Sequence, residues 1–112
     1  MTPKQLWIKA LRSGKYTQTR HKLLREDGSC CALGVACLVY EEHVEPLNKK
    51  LVAYLYYSIN GEYNFLPREV YQWLGCSPLG SLKEHNSVMS LNDINELTFL
   101  EIANTLENSE FA

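Results

Sequence analysis

No stretch of this 112-residue sequence approaches the roughly 18 consecutive apolar residues that a membrane-crossing helix requires. Its opening, MTPKQLWIKALRSGKY, interleaves charged and apolar residues and lacks the unbroken apolar stretch of a secretory signal. A cytoplasmic chain with no membrane partner is the expectation. Metal-ligand spacings are missing too: there is no C-x-x-C, no H-x-x-x-H and no H-E-x-x-H, although four Cys and three His (His21, His43, His85) are present. No metal and no cofactor are expected. The absence of a Walker A loop and of G-x-G-x-x-G disfavours an NTPase or a dinucleotide enzyme. No helix-turn-helix spacing is evident, and an isoelectric point near 5.9 opposes approach to a duplex, so no specific DNA partner is expected. With no internal repeat, low-complexity tract or linker, residues 1–112 read as one domain, too short for two cores.

The scarcest charge is local. Residues 1–25 hold no acid at all, against Lys4, Lys9, Arg12, Lys15, Arg20, Lys22 and Arg25, a charge of +7. Residues 26–112 set Lys49, Lys50, Arg68 and Lys83 against all 13 acids, a charge of −9. Such asymmetry fits an anionic partner for the basic segment, or pairing of the two surfaces within one chain or head to tail between copies.

Four cysteines are present, three of them (Cys30, Cys31 and Cys37) crowded around the run CCALGVACLVY, with Cys76 apart. That is a poor disulfide layout, so reduced thiols are expected.

Local signals predict about four helices and a small antiparallel sheet, an α+β domain. Thr2, Pro3 and Gln5 form a capping box ahead of a stripe of Trp7, Ala10 and Leu11, and Gly14 stops that helix. Lys15 to Asp27 reads as extended chain. Ser29 is the expected cap of a helix from Cys30 to about Glu42, whose small residues Cys31, Ala32, Gly34, Ala36 and Cys37 let another backbone come close. A β-hairpin is expected near residues 51–66, with VAYLYYS and EYNF flanking an Asn60-Gly61 turn; Tyr54 and Tyr56 then share one face, Leu55 and Tyr57 the other. Its tyrosines suit a binding platform, although aromatic pairing across a half-buried hairpin is their commoner role. Pro67 opens a short helix with Val70, Trp73 and Leu74 inward, and Gly75 ends it; residues 76–90 read as loop. Thr98 and Glu101 form a second capping box before Phe99, Ile102, Ala103 and Leu106.

Three segments, LRSGKYTQTRHKLLREDGSCCALGVACLV, LPREVYQWLG and SLNDINELTFLEIANTLE, resemble in that order a family of small uncharacterised bacteriophage and prophage proteins. The family pattern runs L-R-S-G-x-Y-x-Q, D-G-x-C-C-L-G-V, L-P-x-x-V-x-x-W and L-N-D before a helix with I-A; here Ala32 is inserted after Cys31. The resemblance implies a viral or prophage origin and carries no activity with it.

Three chemistries fit the residues. Arg12, Lys15, Tyr16, Gln18, Arg20 and Lys22 offer guanidinium forks, a stacking ring and an amide to an anionic small ligand such as a nucleotide. In extended chain Tyr16, Gln18, Arg20 and Lys22 share one face, and the free N-terminus of the following helix adds N–H donors. Asn92 and Asp93, more commonly turn residues, would accept from an exocyclic amine or a ribose hydroxyl. On this reading the chain is an anti-defence sponge for a nucleotide immune signal, acting as a homo-oligomer or alone. The alternative is an effector that binds a host protein through its charged faces. Third is a cysteine hydrolase using Cys30 or Cys31, with His85 and Asn86 downstream and Asn92 or Asp93 orienting a histidine.

Overall fold

In the computed structural model, which covers residues 1–112, the chain forms five helices and a three-stranded antiparallel sheet. The fold is α+β, with one helix more than expected. The first helix, α1, spans Pro3–Arg12, and both halves of the Thr2/Gln5 capping box form. It buries Trp7, Ile8 and Leu11, so Ile8 takes the inward place assigned to Ala10. Trp7 is wholly buried and its indole N–H donates to the Ala32 carbonyl at 2.9 Å, which satisfies the ring's single polar atom.

The central helix, α2, spans Ala32–His43 and is buried along most of its length. Cys31, not Ser29, is its N-cap, and the helix begins two residues later than expected. The reason is an Asx turn: the Asp27 carboxylate accepts from the Ser29 N–H at 2.9 Å and from its hydroxyl at 2.6 Å, taking that hydroxyl out of reach of the helix. The small residues act as expected. A Cβ on Gly34 would fall 1.8 Å from the Leu23 carbonyl oxygen, so α2 lies directly against the backbone of the preceding segment.

The sheet departs further from its sequence pattern. Strands β1 (Leu24–Arg25), β2 (Lys49–Val52) and β3 (Tyr56–Ile59) lie in the order β1-β3-β2. The 51–58 run is broken by a turn at Ala53 and Tyr54, both at positive φ, and this turn makes the hairpin. Asn60-Gly61 does form a tight turn, but it closes only the single Ile59–Glu62 bridge. Both edges of β3 are already taken, by β1 and β2, so EYNF has no strand to pair with. The turn also ends the expected alternation, leaving Tyr54 and Leu55 exposed at the hairpin tip. Of the extended 15–27 segment only β1 and an isolated Gln18–Cys30 bridge are strand-like.

Helix α3 (Arg68–Leu74) buries Val70 and Leu74 and ends at Gly75, while Trp73 is half-buried edge-on to Tyr40. Helix α4 (Val88–Asp93) arises where loop was expected, capped by the Ser87 hydroxyl, and takes in Leu91, Asn92 and Asp93. Helix α5 (Phe99–Glu107) has its Thr98/Glu101 capping box and buries Phe99, Ile102, Ala103 and Leu106. One contiguous core of 26 buried residues joins α1, α2, α5 and the sheet's inner side. No helix is long and apolar enough to cross a membrane.

Candidate functional site

The residues expected to bind an anion fall into three separate places. Gln18, Asn92 and Asp93 do come together, at the junction of the 15–31 segment with α4. The Asn92 side-chain oxygen accepts from Gln18 Nε2 at 2.8 Å and from the Ala32 N–H at 3.1 Å. Its amide nitrogen donates to the Thr19 carbonyl at 3.0 Å and to Asp93 Oδ1 at 2.7 Å. Gln18 Nε2 also donates to the Leu97 carbonyl at 2.8 Å, and Asp93 accepts from the His21 N–H at 2.9 Å. Asn92 is 1% exposed with every donor and acceptor used, so this cluster ties segments of the chain to one another. The α2 N-terminus is likewise closed, by Asn92 on Ala32 and by Cys31 Sγ, which accepts from the Gly34 N–H at 3.4 Å.

The single face expected for Tyr16, Gln18, Arg20 and Lys22 does not form. His21 sits at φ 68°, which ends the alternation of an extended chain. Tyr16 packs on the core beneath Lys15, whose Nζ lies 5.4 Å from the ring centre, and Gln18 turns inward. Arg20 is half-buried, its Nε without a partner. Arg12 is far along the fold, paired with Glu107 and donating to Asn104 Oδ1 at 2.8 Å. That pair holds the Glu107 carboxyl below its usual range and Arg12 above its own.

Lys22 leads to the third place, the outer face of the sheet. Its Nζ lies 4.3 Å from the Tyr56 ring centre and 4.8 Å from that of Tyr63, and the two rings are 5.5 Å apart. The register explains the arrangement. Leu24, Tyr57 and Leu51 form one cross-strand row, with Leu24 buried and Tyr57 packed on the core. The adjacent row of Arg25, Tyr56 and Val52 therefore points the other way, and Lys50, two residues before Val52, shares that outward face. The three strands carry Arg25, Lys49 and Lys50 and no acid. Two tyrosines under Lys22, with Arg25 and Lys50 on the same strand face, put stacking surface and positive charge together. Of these, Lys22 was expected as a ligand residue and Tyr56 as part of a platform. Tyr63 belongs to the hairpin tyrosines considered for pairing or a platform, and its approach to Tyr56 comes from the Asn60-Gly61 turn rather than from strand alternation.

The thiols show a different chemistry from that of a nucleophile. Cys30 and Cys31 are buried, and burial pushes each up to about 12, so both are neutral at physiological pH. His85 lines a separate polar depression of about 310 Å³ with Lys83 and Glu110, and Asn86 donates to Asn95 Oδ1 at 2.9 Å. The histidine beside Asp93 is instead His21, with Nδ1 3.7 Å from Asp93 Oδ2. No three His, Cys, Asp or Glu side chains gather to hold a metal ion.

A family model described as a domain of unknown function (DUF8296) matches residues 2–110, nearly the whole chain. No curated protein and no solved structure matches it.

Proposed function

This chain belongs to the DUF8296 family, and we propose that it is a non-enzymatic binding protein that captures an anionic small ligand, a nucleotide, on the outer face of its sheet. The observation that carries this reading is Lys22 poised over the Tyr56 and Tyr63 rings, with Arg25 in register beside Tyr56 and Lys50 on the same face. A base stacks on the tyrosines while the phosphate takes the cations. Magnitudes favour the exchange. An exposed cation–π contact is worth about 0.5–1 kcal/mol, a base stacked on an aromatic ring about 1–3 kcal/mol, and Lys22 regains a partner in the phosphate. Neutral buried thiols fit a protein that binds without turning its ligand over. The resemblance to small phage and prophage proteins supports the finer version, a sponge that sequesters a nucleotide immune signal in the cytoplasm of an infected cell.

The test is calorimetric titration with a panel of nucleoside monophosphates, cyclic mononucleotides and cyclic dinucleotides. At least one is expected to bind with a Kd of about 10 µM or tighter. Lys22→Ala and Tyr56→Ala should each weaken it at least about tenfold, and Arg12→Ala, on α1, should not. A panel with no member binding below about 1 mM would overturn the proposal.

A second reading, an effector that binds a host protein, is favoured by the hairpin tip, where Tyr54 is 85% exposed and Leu55 57% exposed. On that reading Tyr54→Ser with Leu55→Ser removes a host partner captured by the wild-type chain and leaves nucleotide titrations unchanged.

A further inference from the structure

The sheet has two edges, and the chain itself closes one of them. Beyond β1 the Arg25 N–H donates to the Ser29 carbonyl at 2.8 Å, and Leu24 bridges to Cys30. At the other edge the sheet ends on β2, where Lys49, Lys50 and Leu51 are all exposed. The hydrogen-bond pattern shows which groups that edge leaves open. The Asn60 N–H donates to the Asn48 carbonyl at 2.8 Å, so those two residues form a hydrogen-bonded pair. Antiparallel pairs alternate, which makes Lys50/Ser58 and Val52/Tyr56 hydrogen-bonded and Lys49/Ile59 and Leu51/Tyr57 not. Ile59 agrees, since its N–H turns away from β2 to the Glu62 carbonyl at 2.6 Å. The N–H and C=O of Lys49 and of Leu51 therefore point out of the sheet, two donors and two acceptors at strand spacing.

The side chains at this edge lack neighbours in the same way. In the cross-strand row of Leu24, Tyr57 and Leu51, Leu24 is buried and Tyr57 packs on the core, whereas Leu51, at the open end, is 43% exposed. One more strand would lay a residue beside it. On the opposite face Lys50 is in none of the ion pairs, while Lys49 is held by Glu41 at 2.7 Å.

From these open groups and this charge we infer that β2 takes an added strand from a partner protein, an extended acidic segment with an acid opposite Lys50 and an apolar residue opposite Leu51. Main-chain bonds to Lys49 and Leu51 supply affinity, and the two side chains supply selection. The place opposite Lys50 is a non-hydrogen-bonded one, where facing side chains come closest. That spacing also argues against a second copy as the occupant. Pairing β2 with β2 of another copy through the same four groups sets Lys50 of each copy against the other, like charge on like. Only Lys50 is shared with the face proposed for a nucleotide, and Leu51 and the main-chain groups are not, so the two readings fail separately.

The test is amide hydrogen exchange, read by nuclear magnetic resonance, on the full chain with an end-blocked heptapeptide, Thr-Val-Glu-Val-Glu-Val-Thr, or its counterpart with lysine for glutamate. With a Kd of about 100 µM, about 1 mM acidic peptide leaves about a tenth of the chain free, so exchange at Lys49 and Leu51 should slow about tenfold. The lysine peptide should leave both amides as they are in the free chain. Lys50→Glu, at an exposed position, should reverse that preference. Leu51→Pro removes an N–H that points outward, the one setting in which a strand accommodates proline, and should abolish protection of Lys49 while circular dichroism shows the fold retained. The Lys50→Glu reversal reads the same contact without a proline, so it decides the matter even where Leu51→Pro unsettles the hairpin. Lys49 and Leu51 amides left unprotected by about 1 mM acidic peptide overturn the inference. So does equal binding of the two peptides, or a folded Leu51→Pro variant that binds like the wild type. Protection that grows with chain concentration in the absence of peptide also overturns it, and gives the edge to a second copy.

Discussion

Gly34 lies so close to Leu23 that any side chain at position 34 would meet the Leu23 carbonyl oxygen, 1.8 Å from an ideally placed Cβ and in the backbone rather than at a yielding side-chain tip. The Cys30 Cβ is 3.0 Å away on the same side. Gly34→Ala must therefore push α2 off the segment that carries Leu23 into β1. A clash that cannot be relieved by a rotamer change costs about 3 kcal/mol or more. Urea denaturation should show a loss of that size, whereas Ala36→Gly, which leaves only a small void, should cost about 1 kcal/mol.

Asn92 is the polar counterpart of that packing. It satisfies Gln18, Thr19, Ala32 and Asp93 at once, tying the 18–19 segment and the start of α2 to α4. Asn92→Ala leaves a buried N–H at Ala32 and a part-buried carbonyl at Thr19 without partners, the first worth about 1–3 kcal/mol and the second less. A loss of about 3 kcal/mol is expected by chemical denaturation. Asn92→Asp keeps an acceptor for Gln18 and Ala32 but turns an anion toward the Thr19 carbonyl and Asp93. That variant should recover part of its stability as pH falls from 7 to 4, a trend the alanine variant should not share.

The ends of α1, α3 and α5 were legible because each is written within four neighbouring residues, whereas the start of α2 moved from Ser29 to Cys31 once Asp27 claimed the Ser29 hydroxyl. Thr2 with Gln5, Thr98 with Glu101, and Gly75 after Leu74 need no information from elsewhere in the chain. The sheet was not legible in the same way. Its central strand is β3, and what fixes that is β1, supplied from far upstream by the segment that Gly34 allows α2 to press against. Helix α4 was hidden by composition, since its six residues follow a serine- and asparagine-rich run, and the Asn92 within it resembles a turn residue until its distant partners are seen. The basic segment was read correctly as charge, but alternation cannot survive His21 at positive φ, so its residues part company. Lys22 keeps an aromatic surface under it only because Tyr56 and Tyr63 arrive there from the sheet.

Alkaline pH should expose the buried thiols thermodynamically. Burial holds Cys30 and Cys31 up at about 12 in the folded chain, against an ordinary value of 9.0. Above pH 9 the unfolded chain releases those protons and the folded chain keeps them. Unfolding then binds fewer protons, and stability falls as pH rises, by up to about 1.4 kcal/mol per pH unit for each thiol, until the folded form also ionises. Below about pH 8 the contribution is flat. Urea midpoints measured from pH 7 to 10.5 should drop accordingly, and Cys31→Ala should shallow the slope by one thiol's share. Iodoacetamide at pH 8 should leave Cys30, Cys31 and Cys37 unmodified until denaturant is added.

The hairpin tip is where stability and partner binding should separate. Ala53 at φ 53° and Tyr54 at φ 59° both hold a backbone conformation that disfavours a side chain by about 1–2 kcal/mol each. Tyr54 is 85% exposed, so packing within the chain does not offset that cost. Tyr54→Gly relieves the strain and loses about 0.5–1 kcal/mol to the greater freedom of glycine in the unfolded chain, for a net gain of about 0.5–1 kcal/mol. Thermal melts should therefore shift upward. A strained, exposed tyrosine at a tip is a place to look for a contact outside the chain. If Tyr54→Gly is more stable and also loses a captured host protein, the tip is the contact that the effector reading requires. A more stable variant that keeps every partner and every ligand would leave the tip a tolerated strain and return the function to Lys22, Tyr56 and Tyr63.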